Sequence, residues 1–348
     1  MAEARSGDTG TKRTVPFVWA ALRHRRALGW GAAVALTAYL VYAPEVLLES
    51  FQRTLAGVFM FATLALAWNL IGGMAGYPSF GNVVFFGLGG YTVASLMARA
   101  GWTFWPALVL AAVFGAVFAA LVGLPVLRLR GHYFAIATLG VAEGMRELVI
   151  NVPRITGGGS GITIPAVGTK AATPYPGNTG FYYYFLVLLL TALLVVWRVS
   201  RSRFGYALRA IREEEDGAAA MGVNTTRTKV AAFALSGFLT AVAGGLYAFQ
   251  QVTIYPERSF SVEITVLMVV MVVIGGIGTV LGPLLGGVGL QFLSEYLRQN
   301  YLQWNLFIFG AIVVVAVIFL PEGAVRFAGE SWRRRRPTLL ANVRQYRL

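Results

Sequence analysis

The chain has no cysteine and only two histidines, His24 and His132. That excludes a disulfide framework, a Cys- or His-based metal cluster and a thiol nucleophile. Aspartate occurs only at Asp8 and Asp216, and lysine only at Lys12, Lys170 and Lys229. No lysine follows a glycine, so there is no Walker A loop to cradle a nucleotide phosphate. Charge is scarce as well. Charged residues are 13% of the chain, where soluble domains carry roughly 25%.

Apolar residues fill the gap. Hydrophobic types make up 57% of 348 residues, beside 41 glycines, and the mean hydropathy is +0.66. A soluble domain this apolar could not cover its surface with polar groups, so the composition specifies an integral membrane protein. Lys and Arg number 29 against 15 Asp and Glu, a net charge of +14. On a soluble chain this excess would point to nucleic acid. On a membrane chain it reflects basic residues kept on cytoplasmic loops, and no nucleic-acid partner is expected.

Apolar runs place spans at about 27–44, 54–75, 82–98, 105–126, 132–152, 180–197 and 230–250, with a last one at 304–320. The run 262–297 is too long for one crossing and is expected to break at Gly282-Pro283 into two short antiparallel helices. The expectation is an all-α polytopic membrane protein of about ten transmembrane segments (8–10, the lower number if two are re-entrant). Residues 1–26 form a basic cytoplasmic arm, and the run after them is long enough to stay as an anchor rather than a cleaved leader. The membrane domain is 27–322, with an extracytoplasmic loop at 153–179 and a polar cytoplasmic loop at 198–229. Residues 323–348, with Arg333 to Arg336 in a row, are a basic cytoplasmic tail. Clusters at Arg23–Arg26, Arg128–Arg130, 198–229 and the tail all fall on one side under this count. Both termini are then in the cytoplasm.

Glycines cluster twice, at Gly72, Gly73, Gly76, Gly81, Gly87, Gly89 and Gly90 and at Gly275, Gly276, Gly278, Gly282, Gly286 and Gly287. Each cluster falls at a break between apolar segments in one half of the chain. Such paired breaks serve close helix packing or mark a transport pathway. Carboxylates at membrane depth are few: Glu143, Glu147, Glu263 and Glu295. Glu143 and Arg146 stand three apart and pair on one helix face, which disfavours an ion-coupled carrier. No nucleophile and base are placed together, so an enzyme is not expected.

The polar loop holds one more helix. In 205–222, Leu208, Ile211, Glu215, Ala218 and Met221 recur at helical spacing, with an acidic quartet Glu213–Asp216 in the middle. A helix lying on lipid headgroups would suit that spacing, but anionic lipid repels the quartet. A docking helix for a protein partner fits better.

Four stretches together resemble the permease subunit of a branched-chain amino acid ABC importer, LivM-type, over residues 55–325. They are Trp68-Asn69-Leu70-Ile71-Gly72-Gly73-Met74-Ala75-Gly76-Tyr77-Pro78-Ser79-Phe80-Gly81-Asn82 running on to Tyr91, then Leu127–Gly140 with Glu143, Thr156–Ile162, and Ala210–Glu213 through Lys229–Phe233. The chain departs from the pattern at Gly217, Ala219 and Tyr77-Pro78. The resemblance implies a type II-like ABC importer permease fold in the bacterial cytoplasmic (inner) membrane. It implies a second homologous permease, two ATP-binding cassette subunits and an extracytoplasmic solute-binding protein as partners. No cofactor is expected in this chain, with ATP-Mg on the partner subunits. By the same resemblance Arg209, Ile211, Arg212, Glu213, Glu215, Ala218, Met221 and Gly222 form the ATPase-coupling helix. The translocation pathway and its gate are assigned to Asn69, Gly72, Gly73, Gly76, Ser79, Gly81, Phe85, Phe86, Gly90, Tyr91, Gly275, Gly276 and Gly278. Thr156, Gly158 and Gly161 are candidates for binding-protein docking. The substrate expected is an aliphatic amino acid, with urea, short amides or other amino acids as the alternative within the same machine. A stand-alone channel or secondary carrier is the alternative of another class.

Overall fold

A computed structural model describes residues 35, 37–164, 174–301 and 303–319. The basic arm, most of the first expected span, the tail and part of the 153–179 loop lie outside the described residues. Residues up to Leu48 form a unit of their own, helical at 37–42 and closed by the 3-10 turn Ala43–Glu45.

The body begins at Glu49. Its helices, in order, are α1 (Glu49–Trp68), α2 (Asn82–Ala100), α3 (Phe104–Val126), α4 (Gly131–Asn151), α5 (Gly177–Ser200), α6 (Arg203–Glu213), α7 (Glu215–Ala220), α8 (Thr225–Gln251), α9 (Val262–Gly275), α10 (Leu281–Asn300) and α11 (Asn305–Phe319). The six-residue π-helical turn Asn69–Met74 extends α1. Two short strands, β1 (Ile162–Thr163) and β2 (Thr253–Ile254), pair antiparallel at the other end of the bundle, with Ile162 opposite Ile254.

Among the described residues six helical stretches are long and apolar enough to cross a membrane: Glu49–Met74, Asn82–Ala100, Phe104–Val126, Gly177–Ser200, Thr225–Gln251 and Pro256–Gly275. The expected segments at 132–152 and 304–320 are helices too, α4 and α11, outside those six. The count of ten is therefore not reached by length and composition.

The run after Val262 breaks earlier than expected. α9 ends at Gly275, the chain turns through Gly276 (φ +127) and Gly278 (φ +76), and α10 starts at Leu281. These positive φ angles are open to glycine and strained for other residues. Gly282-Pro283, where the break was expected, sits in the first turn of α10, a place where the missing proline N–H has no helical partner to lose. The two helices do run antiparallel, with Gly286 against the backbone of Met271 and Gly275.

The core is built around α8, which packs along α2 and α3. Phe85 meets Phe233 edge-on at 5.1 Å and Phe104 stacks on Phe249 at 4.3 Å. α2 and α8 approach so closely that a Cβ on Gly244 would lie 2.0 Å from the Phe86 carbonyl oxygen. On the outside of α3, Val109, Val113, Val117 and Leu121 are exposed, as a lipid-facing stripe requires.

Candidate functional site

The end of α1, the start of α2, the α3–α4 turn, α6–α7, the start of α8 and the α9–α10 break gather at one end of the bundle, and the polar chemistry collects there. Asn69, fully buried, links the two glycine breaks. Its amide nitrogen donates to the Thr279 carbonyl at 2.8 Å, and its oxygen accepts from Gly278 N–H at 2.9 Å. The Arg212 guanidinium, at the tip of α6, donates to the Gly73 carbonyl at 2.7 Å. Gly278 lies against it, since a Cβ there would stand 2.5 Å from Arg212 Nη1. Gly76 faces the aliphatic stem of the same arginine. The two breaks, distant in sequence, thus meet under one side chain of the amphipathic element.

That element is two helices, where one was expected. Ser202 caps α6 by accepting from Gly205 N–H at 3.2 Å. Glu214 is extended (φ −157, ψ 113) and separates α6 from α7. Gly205, Leu208 and Ile211 on α6 and Ala218 on α7 face inward. Arg209, Glu213, Met221 and Gly222 face outward, Met221 at 87% exposure. Tyr206, with the Arg209 guanidinium 4.9 Å from its ring centroid, belongs to this outer face. It stands three residues before Arg209, a spacing that could have found it.

Glu215 points the other way. Its carboxylate accepts from Lys229 Nζ at 2.5 Å and from the Tyr77 hydroxyl. Lys229 also donates to the Tyr77 hydroxyl and to the Leu127 carbonyl, both at 2.9 Å. All three ammonium donors are satisfied, as burial of a lysine requires. Arg130 closes the cluster from outside, 3.4 Å from Glu215 and forked onto Asp216 at 2.8 and 3.1 Å. Sequence reasoning missed Lys229, Tyr77, Arg130 and Asp216 as a group. The available signal was a lone lysine at the mouth of an apolar span in an arginine-rich chain. Removing one partner of such a buried pair costs about 3–5 kcal/mol.

Burial alone would push the Glu215 pKa up, but the hydrogen bonds from Lys229 and Tyr77 and the Lys229 charge outweigh it, and the net shift is downward. Asp216 is lowered by its hydrogen bonds to Arg130. Burial, and then the bond to Glu215, push the Tyr77 hydroxyl up. A carboxylate with a lowered folded pKa contributes stability above the ordinary carboxylate range and loses it as pH falls through the lowered value. Hydrogen-exchange protection of α7, corrected for intrinsic rates, is therefore expected to hold from neutral pH down to about 4 and to fall below it. Loosening between pH 7 and 6 would contradict this.

The remaining expected residues are placed as follows. Gly72 and Ser79 pack at Trp68, whose indole N–H donates to the Ser79 carbonyl at 2.7 Å, and Gly81 lies against Thr138. Gly275 and Gly276 are buried at the second break. Phe85, Phe86 and Gly90 are buried in the α2–α8 packing, and Tyr91 is buried with its ring 5.8 Å from that of Phe260. At the opposite end Thr156 is buried, its single hydroxyl proton within reach of the carbonyls of Val149 and Val152. Gly158 and Gly161 have positive φ in a turn that leads into β1. Glu143 pairs with Arg146 at 2.5 Å, as the spacing predicts. Among the described residues no three His, Cys, Asp or Glu converge to hold a metal ion.

Fold and site define a multi-pass helical membrane protein whose helix breaks are tied together at one end beneath an amphipathic pair of helices. The chain belongs to the permease-component family of branched-chain amino acid transport systems, whose model matches residues 50–317. It is 32% identical over 287 residues to the high-affinity branched-chain amino acid transport system permease protein LivM of Salmonella typhimurium, covering 76% of this chain and 67% of that protein. The Escherichia coli LivM is 31% identical over 288 residues, with the same coverage. The autoinducer 2 import system permease protein LsrC of Salmonella typhi is 29% identical over 150 residues, 41% of this chain and 43% of the relative. No solved structure matches the chain.

Proposed function

We propose that this chain is one half of the membrane gate of an ATP-driven importer for branched-chain, aliphatic amino acids. The observation that carries the reading is the contact of Arg212 with the junction of the two breaks. A push on α6 from outside the bundle reaches Gly73 and Gly278 directly, and Asn69 obliges both breaks to move together. The outward residues Arg209, Glu213, Met221 and Gly222 are the docking surface for an ATP-binding cassette subunit, which holds the ATP-Mg. Nucleotide binding there biases the gate by favouring one of two arrangements, the thermodynamic content of alternating access. Asn69, Gly72, Gly73, Gly76, Ser79, Gly81, Gly275, Gly276 and Gly278 form the gate, with Phe85, Phe86, Gly90 and Tyr91 as its packed backing.

The second permease is supported by α4. Its Tyr133 and Ile136 are exposed, and Gly140 and Gly144, spaced as a close-packing pair, have open space around them. Glu143 and Glu147 on this helix are half exposed. Lipid is a poor neighbour for such a face, and a helix of a homologous permease is a good one. The basic residues Arg128, Arg130, Arg198, Arg201, Arg203, Arg209, Arg212 and Arg227 lie at the α6–α7 end, which is therefore the cytoplasmic side of the inner membrane. The turn at Thr156, Gly158 and Gly161 is then extracytoplasmic, where a solute-binding protein docks.

Reconstitution tests the reading. Liposomes holding this chain, its partner permease, the two ATPase subunits and the binding protein are expected to take up leucine only with internal ATP, in competition with isoleucine and valine and not with urea. Uptake by the chain alone without ATP would replace the importer by a channel or carrier.

A further inference from the structure

The α6–α7 pair is held at two places, and the two holds differ in kind. At Arg212 an exposed residue makes one hydrogen bond into the junction. Beneath α7 the hold is a closed triangle of three side chains, with Lys229 bonded to Glu215 and Tyr77, and Tyr77 bonded to Glu215. The Lys229 and Glu215 side chains are 5% and 13% exposed, so a docked subunit cannot reach them. The triangle joins three parts of the body: the start of α8 through Lys229, the end of α3 through the Leu127 carbonyl, and the α1–α2 connection through Tyr77 and its ring, whose centroid is 4.6 Å from Lys229 Nζ. Glu214, extended, breaks the α6–α7 pair into two helices.

We propose that Lys229, Glu215 and Tyr77 are a fulcrum, a positioning cluster that fixes α7 to the bundle so that movement imposed on α6 is delivered at Arg212. The proposal rests on the importer reading above. It assigns Glu215 away from the docking surface: its carboxylate is occupied from within and its charge is neutralised by Lys229. The outer fork of Arg130 and Asp216 is a lesser part, since both side chains are more than half exposed and solvent screens them. A buried ion pair adds little net stability over apolar residues of the same volume, and the role assigned to this one is to hold one geometry against others. That is the property a fulcrum needs.

The test uses the full assembly and three readouts: co-purification of the ATPase subunits, the ratio of ATPase turnover with and without loaded binding protein, and the thermal midpoint. Lys229→Met and Glu215→Gln are expected to lower the ratio by at least about fivefold with the ATPase subunits retained. The exchange of Glu215→Lys with Lys229→Glu is expected to recover only part of it, since a carboxylate at 229 would face the Leu127 carbonyl and a lysine at 215 would face Arg130. Asp216→Asn should change the ratio less than about twofold. If Lys229→Met does not fold, Tyr77→Phe, which removes one hydroxyl, is expected to lower the ratio about threefold. Loss of the ATPase subunits from the Glu215→Gln assembly would make Glu215 a docking contact and overturn the fulcrum. So would a ratio that stays at the wild-type value, or one that falls only in step with the thermal midpoint. A wild-type assembly with no stimulation at all would instead overturn the importer reading.

Discussion

Arg212→Gln is expected to lower ATP-driven uptake by at least about tenfold while leaving insertion and ATPase binding intact. A charge-assisted hydrogen bond of this kind is worth about 1.5–3 kcal/mol, and the factor follows from that range. The effect on folding is expected to be smaller, because Arg212 is exposed and water can solvate what the variant leaves behind. Uptake suffers more, because Arg212 is the contact through which α6 touches Gly73 and Gly278. Arg212→Lys should recover only part of the rate, since an ammonium is a point donor without the guanidinium's reach and planar fork. Uptake and ATPase turnover measured on the same liposomes check both statements. A variant that transports at the wild-type rate would remove Arg212 from the coupling route.

Gly244→Leu is expected to abolish the folded chain, with no monodisperse peak after detergent extraction. The added Cβ alone would stand 2.0 Å from the Phe86 carbonyl oxygen, and one on Gly89 in the facing helix would stand 2.1 Å from the Ala241 oxygen. Both neighbours are helix backbone, which cannot swing aside as a side chain would. The helices must part, and the contacts of Phe85 with Phe233 and Phe86 with Tyr247 go with them. Overpacking commonly costs about 1–3 kcal/mol, and displacing two whole helices falls above that range. Gly140→Leu is the control, since nothing lies within 4 Å of a Cβ there. It should leave this chain folded and, under the importer reading, weaken its pairing with the second permease. Size-exclusion profiles of the two variants, alone and with the partner, separate these outcomes.

Much of this molecule was legible before any coordinates. Apolar length is a local property, so the spans at 54–75, 105–126 and 230–250 appear where composition places them, as Glu49–Met74, Phe104–Val126 and Thr225–Gln251. Membrane class, the missing nucleotide loop, the Glu143–Arg146 pair and the family all follow from residues close together in the chain. The glycine clusters were legible as breaks for the same reason. Which dipeptide makes the second break was not, because proline in a first turn and glycine at positive φ look alike in a string of letters.

Partners far apart in the chain were the part that only tertiary structure decided. Asn69 reads as a polar residue at the end of a span; its two bonds run to Gly278 and Thr279. Glu215 reads as the one acid on the stripe of Leu208, Ile211 and Ala218, and helical spacing does not say what it meets there. It turns inward onto Lys229 and Tyr77, and the buried ammonium of Lys229 needs a counter-charge of this kind. Periodicity ranks the faces of one helix. Saturating the polar groups of a whole bundle is a joint condition on segments far apart, and only the folded arrangement satisfies it.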